Sequence, residues 1–364
     1  VDPNQPSNNA SVDTRPITSN PAPFPNAPNG DTSNIVIGIK AKTTHEYDPS
    51  ATVLQFATFD SVVIGTEAIA QGPRSIAMGY KSTTNAVEPG MFSASAIAIG
   101  EEASTDNRSS ENTNNLTKNQ YNREAIAFGA KAKAFGDQST AIGNDVKASG
   151  NSSVAIGGDD IDKVRDANGN LYQNITGQAM PSGWLSTESA GDASVAVGVM
   201  ASSQGHFSTA IGMTSSSSGD GAVAIGPTAK SSGEAGVAIG IQSQASAKKT
   251  IAIGSIATAT GENATAIGGL ANAANYNATA IGSETQAIAD YALAMGYQSK
   301  ASGIASIALG KNSVAQGKIS AAIGLEAEAL GEESFAVGTQ AKALGKYSTA
   351  LGNQSTAEKE FDLA

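Results

Sequence analysis

The stretch from residue 251 to residue 268 reads IAIGSIATATGENATAIG, and its two ends carry the same motif. Ile251-Ala252-Ile253-Gly254 and Thr265-Ala266-Ile267-Gly268 each place a β-branched residue, alanine and isoleucine before a glycine, 14 residues apart. Alternation with period two in a segment rich in Val, Ile and Thr indicates a β-strand. The stretch therefore predicts a strand that recurs once in every repeat.

The motif occurs nineteen times along the chain. Ile directly precedes the glycine in twelve copies, and Ala lies two positions before it in seventeen copies. A β-branched residue lies three positions before the glycine in sixteen copies. The last twelve glycines are separated by eleven consecutive intervals of 14 residues. Such a fixed period is typical of a solenoid with stacked rungs. The motif glycines are Gly38, Gly65, Gly79, Gly100, Gly129, Gly143, Gly157, Gly198, Gly212, Gly226, Gly240, Gly254, Gly268, Gly282, Gly296, Gly310, Gly324, Gly338 and Gly352.

The second half of each repeat predicts another strand, with one buried and one solvated face. Residues 324–331, GLEAEALG, and residues 338–345, GTQAKALG, alternate small residues with Glu, Gln or Lys. A glycine at each end, often followed by an acidic residue as in Gly261-Glu262, is expected to supply the positive φ of a tight turn. One repeat is therefore strand, turn, strand, turn.

Stacking these repeats at about 4.8 Å predicts two parallel sheets, with each Ile or Val above the same residue of the previous rung. Because the first strand has no polar face, we expect both of its faces to be covered and its isoleucines to be buried. A coil of two strands is thin, so one of these faces must meet another chain. The sequence predicts an obligate oligomer and leaves its order open.

Departures from the period divide the chain. Residues 1–33 hold seven of the 12 prolines and predict an extended or disordered lead, followed by the roll over 34–357. Polar insertions are expected near 81–94, 102–122 and 159–190, and insertions in solenoids often form the binding face.

Composition argues against several classes of protein. The chain has 33 Asp and Glu against 22 Lys and Arg, a net charge of -11, so it lacks the basic surface that nucleic-acid binding requires. No run approaches the roughly 18 to 20 apolar residues of a membrane-spanning helix. The absence of cysteine leaves the cellular compartment open.

No catalytic, cofactor or metal site is predicted. The chain has two histidines, His45 and His206, no cysteine and no compact polar constellation. Aligning Gly169 with the sixth position of an EF-hand loop puts Val164 and Ile175 where oxygen ligands belong, so the calcium motif fails. Asn168-Gly169 is expected to form a two-residue hairpin turn instead.

Ligand-binding candidates lie in the insertions, because binding hot spots favour Arg, Tyr and Trp. An alternative is that Tyr172 and Trp184 pin the long insertion to the roll. Another is that ligands bind across the repetitive outer face, where several chains together raise avidity. The candidates are Arg108, Lys163, Arg165, Tyr172 and Trp184.

Residues 153–157 (SVAIG), 222–226 (AVAIG) and 306–310 (SIALG), at the 14-residue period, resemble the YadA-like head repeats of trimeric autotransporter adhesins. The resemblance covers about 35 to 357. It implies a left-handed parallel β-roll, a homotrimer, and display on a Gram-negative cell surface with outer-membrane anchorage. It also implies adhesion to host extracellular-matrix proteins such as fibronectin, collagen or laminin, or to host cell receptors.

Such adhesins continue into a neck, a coiled-coil stalk and a membrane anchor. This sequence has no heptads and no barrel strands, so it is expected to be an excised head. Residues 358–364 are expected to begin the connection to the neck, with the membrane reached only through an anchor outside this sequence.

Two other solenoid classes are less well supported. A β-helical acyltransferase or polysaccharide-cleaving enzyme needs a hexapeptide period or long three-strand coils, together with clustered His, Lys or paired carboxylates. A structural spacer or an ice-binding solenoid needs a regular outward array of Thr. Here Thr occurs mainly three positions before the motif glycine, on the same side of the strand as the isoleucines that are expected to be buried. The sequence therefore predicts a non-enzymatic, all-β adhesin head.

Overall fold

The computed structural model describes residues 35–44, 61–71, 74–84, 95–105, 124–159, 171–177, 179 and 185–364. Within these ranges the chain is a parallel β-solenoid with one six-residue helix, which confirms the predicted all-β class and the strand–turn–strand–turn rung. The predicted lead over residues 1–33 and most of the three predicted insertions lie outside the described residues.

The chain divides into two compact units, Val1–Ile161 with Gly183–Met200 and Asp162–Ser182 with Ala201–Ala364. In each unit every rung gives one strand to a first row, ending at the motif glycine, and most rungs give a shorter strand to a second row. Thr83 and Ser104 continue the second row of the first unit as isolated parallel bridges. After the last second-row strand of the second unit, Thr356–Ala357, Leu363 forms a further parallel bridge with Thr349.

In the first unit the first-row strands are β1 Ile35–Ile37, β3 Val62–Ile64, β5 Ile76–Met78, β6 Ile97–Ile99, β7 Ile126–Phe128, β9 Thr140–Gly143, β11 Val154–Gly157 and β13 Val195–Val197. Its second-row strands are β2 Lys42–Thr44, β4 Ile69–Gln71, β8 Lys133–Ala134, β10 Lys147–Ala148 and β12 Glu188–Ser189.

In the second unit the first-row strands are β15 Thr209–Ile211, β17 Val223–Ile225, β19 Val237–Ile239, β21 Ile251–Ile253, β23 Thr265–Ile267, β25 Thr279–Ile281, β27 Leu293–Met295, β29 Ile307–Leu309, β31 Ala321–Ile323, β33 Phe335–Val337 and β35 Thr349–Leu351. Its second-row strands are β14 Ser202–Ser203, β16 Ser216–Ser217, β18 Lys230–Ser231, β20 Gln244–Ala245, β22 Thr258–Ala259, β24 Asn272–Ala273, β26 Gln286–Ala287, β28 Lys300–Ala301, β30 Val314–Ala315, β32 Glu328–Ala329, β34 Lys342–Ala343 and β36 Thr356–Ala357. The helix α1, Leu171–Thr176, also belongs to this unit.

Neighbouring rungs pair in parallel with a fixed register. Ala252 of β21 lies opposite Ala266 of β23, and Ala259 of β22 lies opposite Ala273 of β24. A shift of 14 residues therefore brings each residue beside its equivalent, as the sequence predicts. The handedness of the roll stays a prediction.

Small side chains fill the space between the two rows. In one rung Ala264, Ala266, Ala271 and Ala273 are all buried, whereas Ile267 remains 37% exposed. The expectation that the isoleucines are buried is therefore wrong for the single chain. Because tight turns hold the two rows close together, the interior admits mainly Ala, Ser and Thr, and the large aliphatic residues face outward.

The two glycines of a rung serve different purposes. Gly254, after a first-row strand, has a φ of +133°, as expected of a turn glycine. Gly261, after a second-row strand, does not have a positive φ, and a Cβ there would overlap the backbone of Asn275 in the next rung. The expectation that this second glycine supplies the positive φ is wrong. The left-handed residue is Asn263, two positions later, with a φ of 57°.

Candidate functional site

The outward side of the first-row strands is apolar along the whole second unit. We call it the apolar face, and its side chains lie one and three positions before each motif glycine. None of them is charged, and they are exposed or half-buried. Apolar columns on eleven paired strands run for about 50 Å at the usual strand spacing and mark an interaction surface. The face comprises Thr209, Ile211, Val223, Ile225, Val237, Ile239, Ile251, Ile253, Thr265, Ile267, Thr279, Ile281, Leu293, Met295, Ile307, Leu309, Ala321, Ile323, Phe335, Val337, Thr349 and Leu351.

Threonine contributes only part of this face. Thr265 and Thr279 point outward with the isoleucines, so the sequence-based expectation that they point inward is wrong. Leu293 and Ile307 follow in the same column. The described rungs therefore present an aliphatic surface interrupted by threonines rather than a regular threonine array.

The outward side of the second row is polar and is linked from rung to rung. Gln340 Nε2 donates to Glu326 Oε2 at 2.9 Å, and Lys342 Nζ lies 3.0 Å from Glu328 Oε1. These four side chains line a shallow groove together with Gln354 and Thr356. Since each of the four has a partner in the neighbouring rung, the groove's groups are used in stacking. Exposed pairs of this kind contribute little stability individually.

The turns carry a similar charge ladder. Lys346 Nζ lies 2.9 Å from Glu332 Oε2 and 4.8 Å from the centre of the Tyr347 ring. The hydrogen bonds to Glu332 and then to Tyr347 raise the pKa of Lys346 to about 12, and the same contact with Lys346 lowers the pKa of Glu332. Both groups therefore stay charged at neutral pH, where they bridge adjacent rungs.

Acidic and amide residues after the second-row glycine also join rungs. The backbone N–H of His206 donates to Asp220 Oδ1 at 2.9 Å, and that of Asp137 donates to Asn151 Oδ1 at 3.0 Å. His206 is an exposed turn residue in this ladder. Within the described ranges, no group of three or more His, Asp or Glu residues is placed to bind a metal ion.

Helix α1 is attached to the turns of the second unit through Tyr172. This side chain is only 2% exposed, and its hydroxyl lies 3.2 Å from Thr214 Oγ1. Thr176 Oγ1 donates to the Tyr172 carbonyl at 2.7 Å and is buried with it. The geometry favours the alternative in which Tyr172 pins the insertion to the roll.

The ligand-binding role of Tyr172 stays a prediction, as do those of the other four candidates. Arg108, Lys163, Arg165 and Trp184 lie outside the described residues, as do His45 and the Asn168-Gly169 pair. Of the five candidates, the structure therefore describes only Tyr172. The sequence did not predict α1, because a six-residue helix is too short to carry a periodic apolar pattern.

Replacing Tyr172 with alanine is expected to release α1 from the roll. Loss of a buried aromatic side chain costs about 3–5 kcal/mol, here confined to the docked segment. Hydrogen exchange of peptides covering 171–177 should become fast, while the melting temperature of the roll is retained. Ile175→Ala, at an exposed position of the same helix, is the matched control. If the Tyr172 variant kept its protection, another residue would be the anchor.

Comparison with known families agrees with this geometry. The model of the YadA head domain repeat matches residues 59–82, 122–145, 189–215, 217–240, 231–257, 259–285, 287–313, 315–341, 329–355 and 343–362. No curated protein matches the chain. In the part of the chain that the structure describes, no helix has the length and hydropathy needed to cross a bilayer. The matched segments cover more than half of the chain, so it belongs to the YadA head-domain family.

Proposed function

We propose that this chain is the head of a non-catalytic bacterial adhesin that assembles as a homotrimer and attaches to host tissue. The observation that carries the proposal is the uncharged apolar face of the first-row strands. Family membership supports the adhesin-type head and display on a Gram-negative outer surface, anchored in the outer membrane. The ligand class is host extracellular-matrix protein, such as fibronectin, collagen or laminin, or a host cell receptor.

Assembly follows from the cost of exposing the apolar face. Burial of apolar surface is favourable by roughly 25 cal/mol per Å², and the interior of the single chain has no room for these side chains. Three copies with this face toward a common axis remove it from water and leave the polar second row outside. The second row then presents the same rungs on three sides, and this repetition raises avidity for an extended ligand.

The mass of the purified chain in dilute solution tests the assembly. Light scattering after size exclusion is expected to give three times 36.4 kDa. The double variant Ile239→Asp/Ile253→Asp places charges in the apolar face and is expected to run as a monomer with the parental circular dichroism spectrum. A wild-type monomer across the accessible concentration range would contradict the proposal.

Binding is tested separately on immobilised fibronectin, collagen and laminin. The assembled chain is expected to bind at least one of them with a slow off-rate that depends on surface density. The monomeric double variant should bind the same ligand with faster release, because avidity is lost. If the chain bound none of these three proteins and no host cells, the proposed ligand class would be wrong, and the proposed assembly would be unaffected.

A further inference from the structure

One rung of the second unit is filled less completely than the rest. Inward side chains lie three, five, ten and twelve residues after each motif glycine, and the position ten residues after Gly226 is Gly236. Residues 201–364 are described throughout, and every other inward position among them carries a side chain. We call residues 227–240 the glycine rung. Residues 255–268, whose inward positions are all alanine, are the alanine rung.

The missing side chain also deprives Ser231 of a hydrogen bond. In an earlier rung, Ser203 Oγ lies 2.6 Å from Ser208 Oγ, and Ser208 Oγ donates to the Gly205 carbonyl at 2.6 Å. Gly236 takes the place of Ser208 in the glycine rung, and the buried Ser231 hydroxyl there has no hydrogen-bond partner. Both a buried hydroxyl without a partner and a glycine next to a strand destabilise the folded state.

The glycine rung is the place where both defects coincide. Ser306 and Ser320 also have buried hydroxyls without a partner, but their rungs carry a side chain at every inward position. Because the glycine rung makes the fewest interior contacts, we expect its backbone to be held least firmly by the rest of the second unit.

Helix α1 lies across the turn of this same rung. At its start, the Tyr172 hydroxyl lies 3.2 Å from Thr214 Oγ1, in the turn of the rung before. Just after its end, Gly177 lies against the side chain of Gln242, in the turn of the rung after. The segment 171–177 therefore passes over the turn between them, which belongs to the glycine rung.

Burial at this turn agrees with the position of the helix. Thr228, in the turn of the glycine rung, is only 2% exposed. Ile256 and Leu270 occupy the same turn position in later rungs, where they are 43% and 51% exposed. The turn of the glycine rung is therefore covered, whereas equivalent turns farther along the roll are open to solvent.

We infer that the segment 171–177 is a strap that holds the glycine rung closed, and that release of the strap lets this rung open locally. Local opening begins where few buried contacts hold the backbone. Opening here breaks main-chain hydrogen bonds such as that from Lys230 N–H to the Ser243 carbonyl at 2.8 Å, while rungs farther away stay folded. Because Thr228 is buried under the strap, opening must also displace the strap and expose Tyr172. The inference does not depend on the number of chains in the assembly.

Hydrogen exchange of the full chain, followed by mass spectrometry, tests the inference. Tyr172→Ala is expected to accelerate exchange in peptides covering 227–236 by about tenfold or more, because the rung beneath the released strap opens. The equivalent peptides of the alanine rung, 255–264, should exchange at the wild-type rate. Ile175→Ala, at an exposed position of the same helix, is the matched control and should change neither set of peptides.

A second variant distinguishes a strap from a simple shield against solvent. Ser231→Ala/Gly236→Ala gives the glycine rung the four inward alanines of the alanine rung. A Cβ at position 236 would lie 2.7 Å from Ser231 Oγ, an atom that the first substitution removes, and 3.0 Å from the Gly233 carbonyl oxygen, in a turn that accommodates Ala264 in the alanine rung. With this filled interior, Tyr172→Ala should leave exchange of the rung near the wild-type rate.

A third variant removes the strap directly. Replacing residues 171–177 with a glycine–serine linker of equal length should accelerate exchange of the glycine rung as Tyr172→Ala does. Acceleration confined to the wild-type interior supports the inference. If the linker variant left exchange of the glycine rung unchanged, the rung would be stable by itself and the inference would be wrong. Equal acceleration in the wild-type and filled interiors would show that the segment only shields the amides, and would also overturn it.

Discussion

Replacing Gly331 with alanine is expected to lower the free energy of unfolding of the second unit by about 1–3 kcal/mol, the usual cost of overpacking. Gly331 does not have a positive φ, so backbone entropy alone predicts a small gain in stability from alanine. A Cβ at this position, however, would overlap the carbonyl group of Gly345 in the next rung. Chemical denaturation followed by circular dichroism measures the change and its sign.

Gly221→Ala is the matched control for this experiment. Gly221 has a φ of +65° and open space around the position of a Cβ, so alanine there costs only the left-handed conformation, about 1–2 kcal/mol. Both variants should be measured at one protein concentration, because assembly adds to apparent stability. If Gly331→Ala proved no more costly than Gly221→Ala, close approach of the backbones would not be the reason for the second-row glycine.

Replacing Ala266 with leucine is expected to disrupt the rungs around it and to cost about 3 kcal/mol or more. Ala266 is fully buried between the two rows, where Ala252 and Ala280 lie beside it in the neighbouring strands. The added carbons have no space there unless the rows separate. The expected result is a lower melting temperature and faster hydrogen exchange in peptides of β21, β23 and β25.

Ile267→Thr is the matched control, one residue along the same strand. Ile267 faces outward, so threonine should leave the fold of the single chain unchanged and weaken only the association of copies. If Ala266→Leu were tolerated and Ile267→Thr unfolded the chain, the assignment of inside and outside would be reversed.

This pair of positions shows what the sequence can and cannot predict. Alternation between Ala266 and Ile267 reveals a strand with two unlike faces, and the 14-residue period reveals the register. Neither reveals which face meets the second row. Hydrophobicity alone favours isoleucine in the interior. Because the two rows lie close together, however, only the small alanine fits there and isoleucine faces outward. The distance between the two rows depends on both strands and both turns of a rung, so it cannot be predicted from any one short segment of the sequence.

For the candidate sites as well, some features could be predicted from the sequence and others could not. The polar face of the second strand, as in Glu328 and Lys342, is evident from alternation and is confirmed. The anchoring of Tyr172 on Thr214 joins residues 42 positions apart across a break in the period, so it has no local signal.

The parallel stacking of rungs also decides how the second unit responds to pulling. Main-chain hydrogen bonds join each rung only to its neighbours, as from Gly268 N–H to the Ile253 carbonyl at 2.8 Å and from Asn263 N–H to the Lys248 carbonyl at 3.0 Å. Tension at one end therefore loads the last rung first. A rung contributes about 4.8 Å of stacked length, but its 14 residues extend to about 46–50 Å once peeled away. The roll can thus lengthen stepwise under load, and the rung beneath remains as a template on which the released segment refolds.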